Sequence, residues 1–562
     1  MFLLPIKSDM ENSNPQRKLI RNAIMKLETF DAIVVGSGVA GGAAAQQLCQ
    51  AGLRVLALES GGTSQSGNEE HAFSNITDYQ IQKRCYAFSA RTINCFANDV
   101  ENPYATAPDS PFSWIRARIV GGRSLLWAGH CYRMGDEDFT AALQDGVGEE
   151  WPIRYQEIAP YYDEAERLLQ VRDETNDSYS TQIKNLTMAA DRLQKVSGAG
   201  LKLAPTRISH NRHKSGTPCI HCGSLSEACV RPVTSSGSTL AAAFSTGRLT
   251  LWPHAQVHTF TVDSRGKATS VAGIRATTGE HFEARARVIF LCASTLESTR
   301  ILLNSASNQF PNGLGNSSGV LGRYLMDHVS GIIVTAAFKN NGALPPENQR
   351  AGMFYAPRWQ NLCGDRSPSF LRGYGYQGFI VRADHDLLPC GRTNKNPLVQ
   401  KTTQKLADYD NHTTVRLVAF GEMLPNRENY VELDKNGAKD SLGVPALKIS
   451  CRLGENELAM ASDMASCAVN SLEATGGEII DVQKIPWEPG LAIHEAGTCR
   501  MGNTPETSVL NRFNQCHEIS NLFVTDASCF PSVGTQNPAL TIMALTIRAC
   551  RYAIDQLRCG AI

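Results

Sequence analysis

The sequence predicts a molecule of two parts, α/β plus α+β. One part is a parallel sheet covered by helices, and the other an antiparallel sheet packed with helices. Three observations predict it. A strand, a glycine turn, a helix and another strand succeed one another over residues 30–62. Strand, small-residue turn and helix recur at 288–303. Between 320 and 480 the texture changes to alternating segments separated by long polar loops.

The first unit is the most informative. Residues 32–35 are a short apolar run that stops at Gly36-Ser37-Gly38-Val39-Ala40-Gly41, a G-x-G-x-x-G turn opening into an alanine-rich helix that reaches about Gln50 and meets Gly52 as its C-cap. In such a turn the first glycine permits the tight bend, the second lets a pyrophosphate approach the backbone, and the third lets the helix pack on the strand. The free N–H groups and positive end of the helix then face the phosphates. The strand at 54–58 ends at Glu59, placed to accept hydrogen bonds from ribose hydroxyls. These residues predict a dinucleotide site.

With 562 residues the chain is too long for one simple core. Lysine plus arginine equals aspartate plus glutamate at 54 each, so no charge excess attracts nucleic acid or an anionic membrane. Nor is any apolar run long enough to cross a bilayer. The 17 cysteines are odd in number and scattered, which fits reduced thiols and a cytoplasmic location. The opening MFLLPI is too short for a signal-peptide core. Residues 1–28 are therefore expected to be a flexible tail, with Met25 an alternative start to Met1.

Further along, Arg118-Ile119-Val120-Gly121-Gly122-Arg123-Ser124-Leu125-Leu126-Trp127 places a glycine pair where backbone can come close to a flat or phosphorylated ligand. A helix over 155–169 carries Ile158, Tyr162, Ala165 and Leu169 on one face, for packing. Cys219, Cys222 and Cys229 lie near His210, His213 and His221. Without a second C-x-x-C or a regularly spaced fourth ligand, they read as reduced thiols rather than a metal site, with a single redox disulfide left open. No metal is expected.

Segments at 249–252, 257–262, 271–277 and 281–285 predict a meander, followed by a buried strand at 287–294 that joins the parallel sheet and a helix over 296–303. Segments 331–338, 414–422 and 429–433 predict an antiparallel sheet, and 455–474 a helix closed by Gly476-Gly477. His494 precedes a glycine-flanked turn, and a strand at 521–525 ends at Asp526. Asn537-Pro538 then opens a helix over 539–557, with Asn537 suited to be its N-cap. The expected domains are 29–330 with 481–562 around the dinucleotide, and 331–480 over the substrate.

Taken together, these landmarks resemble the glucose-methanol-choline (GMC) family of FAD oxidoreductases from about Phe30 to Leu557. The resemblance rests on GSGVAGG with Glu59, VGGRSLLW at 120–127, VIFLCASTLESTRILL at 288–303, HEAGTCRMG at 494–502 and FVTDASCFPSVGTQNPALTIMALTIRA from 523. VGGRSLLWAGHCYR, WPIRYQEIAPYYDEAERLL and TSVLNRFNQCHEISNLFVTDAS resemble its bacterial sugar and glycoside dehydrogenases and pyranose-oxidase-like branch.

The resemblance implies a Rossmann-like FAD-binding domain in which Gly36, Ser37, Gly38, Val39, Ala40, Gly41, Glu59, Ser60, Arg118, Gly121, Gly122, Ser124, Leu125, Val257, Ala293, Ser294, Asp526, Ala527, Asn537 and Pro538 hold the cofactor. It also implies oxidation of a C2 or C3 hydroxyl of a sugar or glycoside to a ketone. His494 would take the hydroxyl proton, Asn537 would hydrogen-bond the same oxygen, and hydride would pass to flavin N5. Some relatives attach FAD through a histidine after the Gly-Gly pair. Here that stretch holds none, and His130 is at the wrong offset, so noncovalent FAD is expected. Oxygen, a quinone or a redox protein would reoxidise the flavin. Asp327-His328 reads as a domain-junction pair, and Arg133 and Glu422 as sugar contacts. A tailoring oxidase of a natural-product alcohol or glycoside, or a non-oxidative flavin lyase, shares these landmarks.

Overall fold

The computed structural model describes residues 29–63, 76–174, 202–212, 230–339, 352–362, 367, 369–382, 409 and 412–562. The expected N-terminal tail and Cys219, Cys222 and Cys229 lie outside them.

The strand Thr29–Val35 is nearly all buried and carries its apolar residues in a continuous run, as a strand covered on both faces must. It pairs in parallel with Val55–Leu58 on one side and His281–Leu291 on the other. Leu522–Val524 adds a further parallel strand beside His281–Leu291. The helices Val39–Gln50 and Ala539–Arg558 pack against each other. Ala43, Ala44 and Ala45 are fully buried, their small side chains letting the helix Val39–Gln50 lie close to its neighbours.

Two strand expectations are corrected here. Leu249–Trp252 is not part of the meander but runs parallel to Val55–Leu58 at the edge of the sheet. The helix Thr239–Ser245 packs on the helix Val39–Gln50 and returns the chain to that edge as a crossover connection. The segments expected separately at 281–285 and 287–294 form one strand, His281–Leu291. No turn residue interrupts Arg285-Ala286-Arg287, so its first half pairs antiparallel with Ala268–Arg275 and its second half parallel with Thr29–Val35.

The second large sheet is antiparallel throughout, in the order Glu478–Gln483, Ile333–Lys339, His412–Gly421, Tyr374–Arg382, Gly352–Ala356, Ala204–Ser209, Val171–Glu174. It thus draws two strands from 171–209 as well as those from 331–483. The helix Glu455–Ala474 lies across it, and a β-carbon at Gly421 would stand 2.3 Å from Met464 Cε. The segment expected at 429–433 as part of this sheet belongs instead to a small sheet of Tyr430–Leu433, Leu447–Ser450 and Ala105–Thr106.

Candidate active site

The glycine turn is built as its spacing requires. Gly36 has φ +99°, and a β-carbon there would stand 2.3 Å from the Cys292 carbonyl oxygen at the end of the neighbouring strand. At Gly41 it would meet the Gly36 oxygen at 2.0 Å, whereas at Gly38 it meets nothing within 4 Å. The first and third glycines are therefore required by the protein itself, and the second leaves an open approach to the helix N-terminus. Across from it, a β-carbon on Gly122 would come within 3.1 Å of the Gly38 α-carbon, so two glycine segments form the walls of one cradle.

Polar side chains tie the cradle together. Ser37 Oγ donates to Glu59 Oε2 at 2.5 Å and accepts from the Gly121 N–H at 3.0 Å. Glu59 Oε1 accepts from the Gly61 N–H at 2.8 Å and from Ser60 Oγ at 3.4 Å. Burial raises the Glu59 carboxyl above its ordinary value, countered by the Ser37 hydroxyl. Ser124 Oγ donates to the Gly121 carbonyl and accepts from the Ser235 N–H, while Ser235 Oγ donates to the Ser37 carbonyl. Leu125 closes over Gly121, 2.8 Å from where a β-carbon would sit. Arg118 bonds Gln256, the residue before Val257. Ser235 has no sequence signature and was not among the expected residues.

Ala293 and Ser294 follow Cys292 beside the same turn. Ser294 holds φ +78° at the start of the helix Thr295–Asn304, a conformation unusual for a residue with a side chain. Ser298 accepts from the Ala293 N–H and donates to Asp526, whose carboxylate also receives the Ser528 N–H and hydroxyl. The Gly497 N–H donates to the Ala527 carbonyl, and Thr295 Oγ1 to the Glu495 carbonyl. These bonds join the cradle to the segment carrying His494. The donors, glycines and buried carboxylate fit a dinucleotide such as FAD.

His494 stands partly buried with Nε2 3.3 Å from Asn537 Nδ2 and Nδ1 2.7 Å from His328 Nδ1. His328 Nε2 lies 3.0 Å from the Gly534 carbonyl oxygen, and the two rings cross at 88°. Asn537 does not cap its helix. No side-chain cap bond forms there; the amide oxygen accepts from Gln377 Nε2 at 2.7 Å and the amide nitrogen faces His494. The dipole end of Ala539–Arg558 still opens beside Asn537-Pro538. Phe420 flanks His494 with ring centroids 5.8 Å apart. Gln377 and Phe379 share one face of their strand, and Phe379 meets His130 edge to face.

The electrostatics keep this imidazole neutral. Burial holds His494 well below the ordinary histidine value, and His328, Arg123 and His130 push it the same way. Burial lowers His328 and His130 to about 4 each. Asp327 accepts the backbone N–H groups of His328, Gly490 and His494, and burial raises its carboxyl to about 7.

Some expectations are corrected. Asp327-His328, expected as a domain-junction pair rather than a catalytic one, lies at the site: His328 touches His494 across 166 residues of sequence, which no local motif reveals. Arg133 is held by Glu166, Asp163 and Tyr155, and Glu422 is buried between Arg372 and Arg358, so neither is free for a sugar. His130 bonds Tyr132 and lies against Phe379.

A dinucleotide cradle on a parallel sheet, beside a neutral histidine and an amide under an antiparallel sheet, defines a flavin oxidoreductase of the alcohol-oxidising type. Models of the GMC oxidoreductases match residues 30–330 and 425–546, and the chain belongs to that family. It is an FAD-dependent oxidoreductase acting on alcohols or sugars.

A 2-methyl-1,2-propanediol dehydrogenase from Mycolicibacterium austroafricanum is 29% identical over 93% of this chain and 94% of its own. Paromamine 6'-oxidase from Streptomyces fradiae is 27% identical, with 94% and 92% covered. A variant of formate oxidase from Aspergillus oryzae RIB40, solved in a study of FAD modification, shares the fold at TM-score 0.61 and 14% identity over 95% of this chain and 99% of its own. Among the described residues no helix is long and apolar enough to cross a membrane, and no group of three or more His, Cys, Asp or Glu side chains is arranged for a metal ion.

Proposed function

We propose that the protein oxidises a C2 or C3 secondary hydroxyl of a sugar or glycoside to the ketone, with His494 as general base. The observation that carries this reading is the pairing of His494 Nε2 with the Asn537 amide at the mouth of the Ala539–Arg558 helix. FAD, when bound, supplies the hydride acceptor. His494, kept neutral by its surroundings, takes the hydroxyl proton on Nε2, and Asn537 Nδ2 donates to the same oxygen and holds it in line. Asn537 has no basic nitrogen, so proton removal falls to His494 alone.

The cradle of Gly36–Gly41, Glu59, Gly121 and Gly122 holds the cofactor noncovalently, a reading supported by the stretch Arg123 to Trp127, which holds no histidine, and by the Tyr132 bond that occupies His130. Residues 29–330 and 481–562 form the cofactor side and 331–480 the greater part of the substrate side. Phe420 beside His494, and Gln377 bonded to Asn537 with Phe379 on the same strand face, support a pyranose ring resting against them. Oxygen, a quinone or a redox protein accepts the electrons, and the enzyme works in the cytoplasm. The similarity to paromamine 6'-oxidase favours, as a second reading, a tailoring oxidase of a natural-product glycoside with the same residues at work.

The test is an anaerobic titration of the purified holoenzyme with D-glucose, D-fructose, an aryl C-glucoside, paromamine and 2-methyl-1,2-propanediol, followed at the oxidised-flavin absorbance. Bleaching by a sugar or glycoside, with a 2- or 3-keto product, supports the proposal. Bleaching by the diol alone overturns the substrate class, and a yellow protein that no alcohol bleaches favours a non-oxidative flavin lyase. Acid precipitation that leaves the flavin on the protein overturns noncovalent binding.

A further inference from the structure

We infer that His328 is a positioning residue that fixes the tautomer of His494, leaving Nε2 as a bare lone pair beside Asn537. This inference rests on the reading of His494 as the base. The lock starts from a group that admits no choice. The Gly534 carbonyl oxygen only accepts, so His328 Nε2, 3.0 Å away, carries the proton. A neutral imidazole has one N–H, and His328 Nδ1 is therefore an acceptor. Burial, which holds His328 near 4, keeps it neutral in the working range of pH.

The next contact is between two nitrogens of like kind, Nδ1 to Nδ1 at 2.7 Å. One of them must donate, and since His328 Nδ1 is bare the proton is on His494 Nδ1. His494 Nε2 is then the free base. Its neighbour agrees: Gln377 donates to Asn537 Oδ1, which turns the Asn537 NH2 group toward His494 Nε2. The opposite tautomer would set two lone pairs 2.7 Å apart at Nδ1 and two donors 3.3 Å apart at Nε2, an arrangement penalised at both ends.

Gly534 holds φ +62°, a left-handed backbone that suits glycine, and aims its carbonyl from the same loop that leads into Asn537. One short segment, 534–537, thus presents both the carbonyl that begins the lock and the amide at its other end. His494 is also faced by Arg123, His130 and, through backbone bonds, Asp327. Among the described residues none of these bonds His494 Nδ1, whose partner is His328 alone.

The experiment is 15N spectroscopy of histidine-labelled holoenzyme at pH 7.5, with the His494 signals assigned by their loss in His494→Gln. Wild type should show Nδ1 as the proton-bearing nitrogen and Nε2 as the bare one. His328→Leu, which offers no acceptor, should abolish that signature and slow anaerobic flavin reduction by about 10²-fold or more, with less change in the alcohol concentration giving half-maximal rate. Removal of a tautomer-holding group in a serine protease costs about 10⁴ in kcat. His328→Asn places an oxygen where Nδ1 stood and should restore both signature and rate to near wild type.

A wild-type His494 protonated on Nε2 overturns the inference, as does His328→Leu with unaltered signature and rate. If His328→Leu fails to retain FAD, the wild-type spectrum and His328→Asn decide. Undiminished reduction in His494→Ala would instead overturn the base reading, while the spectrum would still decide the lock.

Discussion

Gln377 donates its amide nitrogen to Asn537 Oδ1 at 2.7 Å and thereby decides which end of Asn537 faces His494. Without that bond the Asn537 amide is free to rotate and present its oxygen to the substrate oxygen. Gln377→Leu removes one net hydrogen bond, worth about 0.5–1.5 kcal/mol. The rate of anaerobic flavin reduction should fall by about 2- to 13-fold with FAD content unchanged. An unchanged rate would show that Asn537 holds its orientation without Gln377.

His494→Ala removes the proposed base and leaves the cradle intact, since His494 makes no bond to the Gly36–Gly41 turn, Glu59 or the Gly121-Gly122 segment. The protein should purify yellow and its flavin reduction should slow by about 10² to 10⁴, the usual worth of a positioned base. A stopped-flow rate within a few-fold of wild type would remove His494 from the role.

These contacts show how far the sequence could be read. The glycine turn, Glu59 and the succession of strands and helices are local patterns, so their spacing alone carried them. His494 and Asn537 were legible through separate landmarks, but their partners were not. His328, Gln377 and Ser235 reach the site from elements distant in sequence, and an isolated histidine, glutamine or serine carries no period or spacing. The merging of 281–291 into one strand was likewise invisible, because the change from antiparallel to parallel pairing is made by its neighbours and not by its own residues. Glu422 was misread for a related reason: sequence shows an acid in a strand, and only the fold brings Arg372 and Arg358 against it.

The pH dependence of flavin reduction should follow the depressed His494. A base held below the ordinary histidine value of about 6.5 remains unprotonated to lower pH, so activity is lost only as pH falls through that lowered value. The acid limb should therefore lie below pH 6.5. Arg123 is one of the cations that disfavour the imidazolium, and it forms a bidentate pair with Glu495 at 2.5 and 3.0 Å. Arg123→Met removes that positive charge and frees the Glu495 carboxylate, and both changes favour protonated His494. The limb should move to higher pH, measured as reduction rate against pH in wild type and variant; a downward shift would contradict the assignment.

Gly38 and Gly41 should separate cofactor retention from folding. A β-carbon at Gly41 collides with the Gly36 carbonyl, so Gly41→Ala should distort the turn and lower the yield of folded protein. Gly38 has φ −67° and an open neighbourhood, so Gly38→Val should fold with wild-type circular dichroism. Its branched side chain would occupy the approach to the helix N-terminus, and flavin absorbance in the purified protein should be lost. A yellow Gly38→Val would place the pyrophosphate elsewhere.

Arg372 anchors a buried charge network between the two parts of the molecule. Its guanidinium bonds Glu422 Oε1 at 2.6 Å, the Asp145 carboxylate and the Val147 carbonyl, while Arg358 lies 3.4 Å from Glu422 and 3.5 Å from Asp138. Asp138 in turn accepts from Gln536, next to Asn537. Burial raises the Glu422 carboxyl, and Arg372 is the first group opposing that shift. Arg372→Met leaves Asp145 without this partner and Glu422 with Arg358 alone, so unfolding free energy should drop by about 3–5 kcal/mol. Glu422→Gln keeps the shape and leaves Arg372 paired with Asp145, and should be the milder change. Urea denaturation at a fixed FAD concentration compares the two; equal stabilities would mean that Asp145 and Val147 hold Arg372 regardless of Glu422.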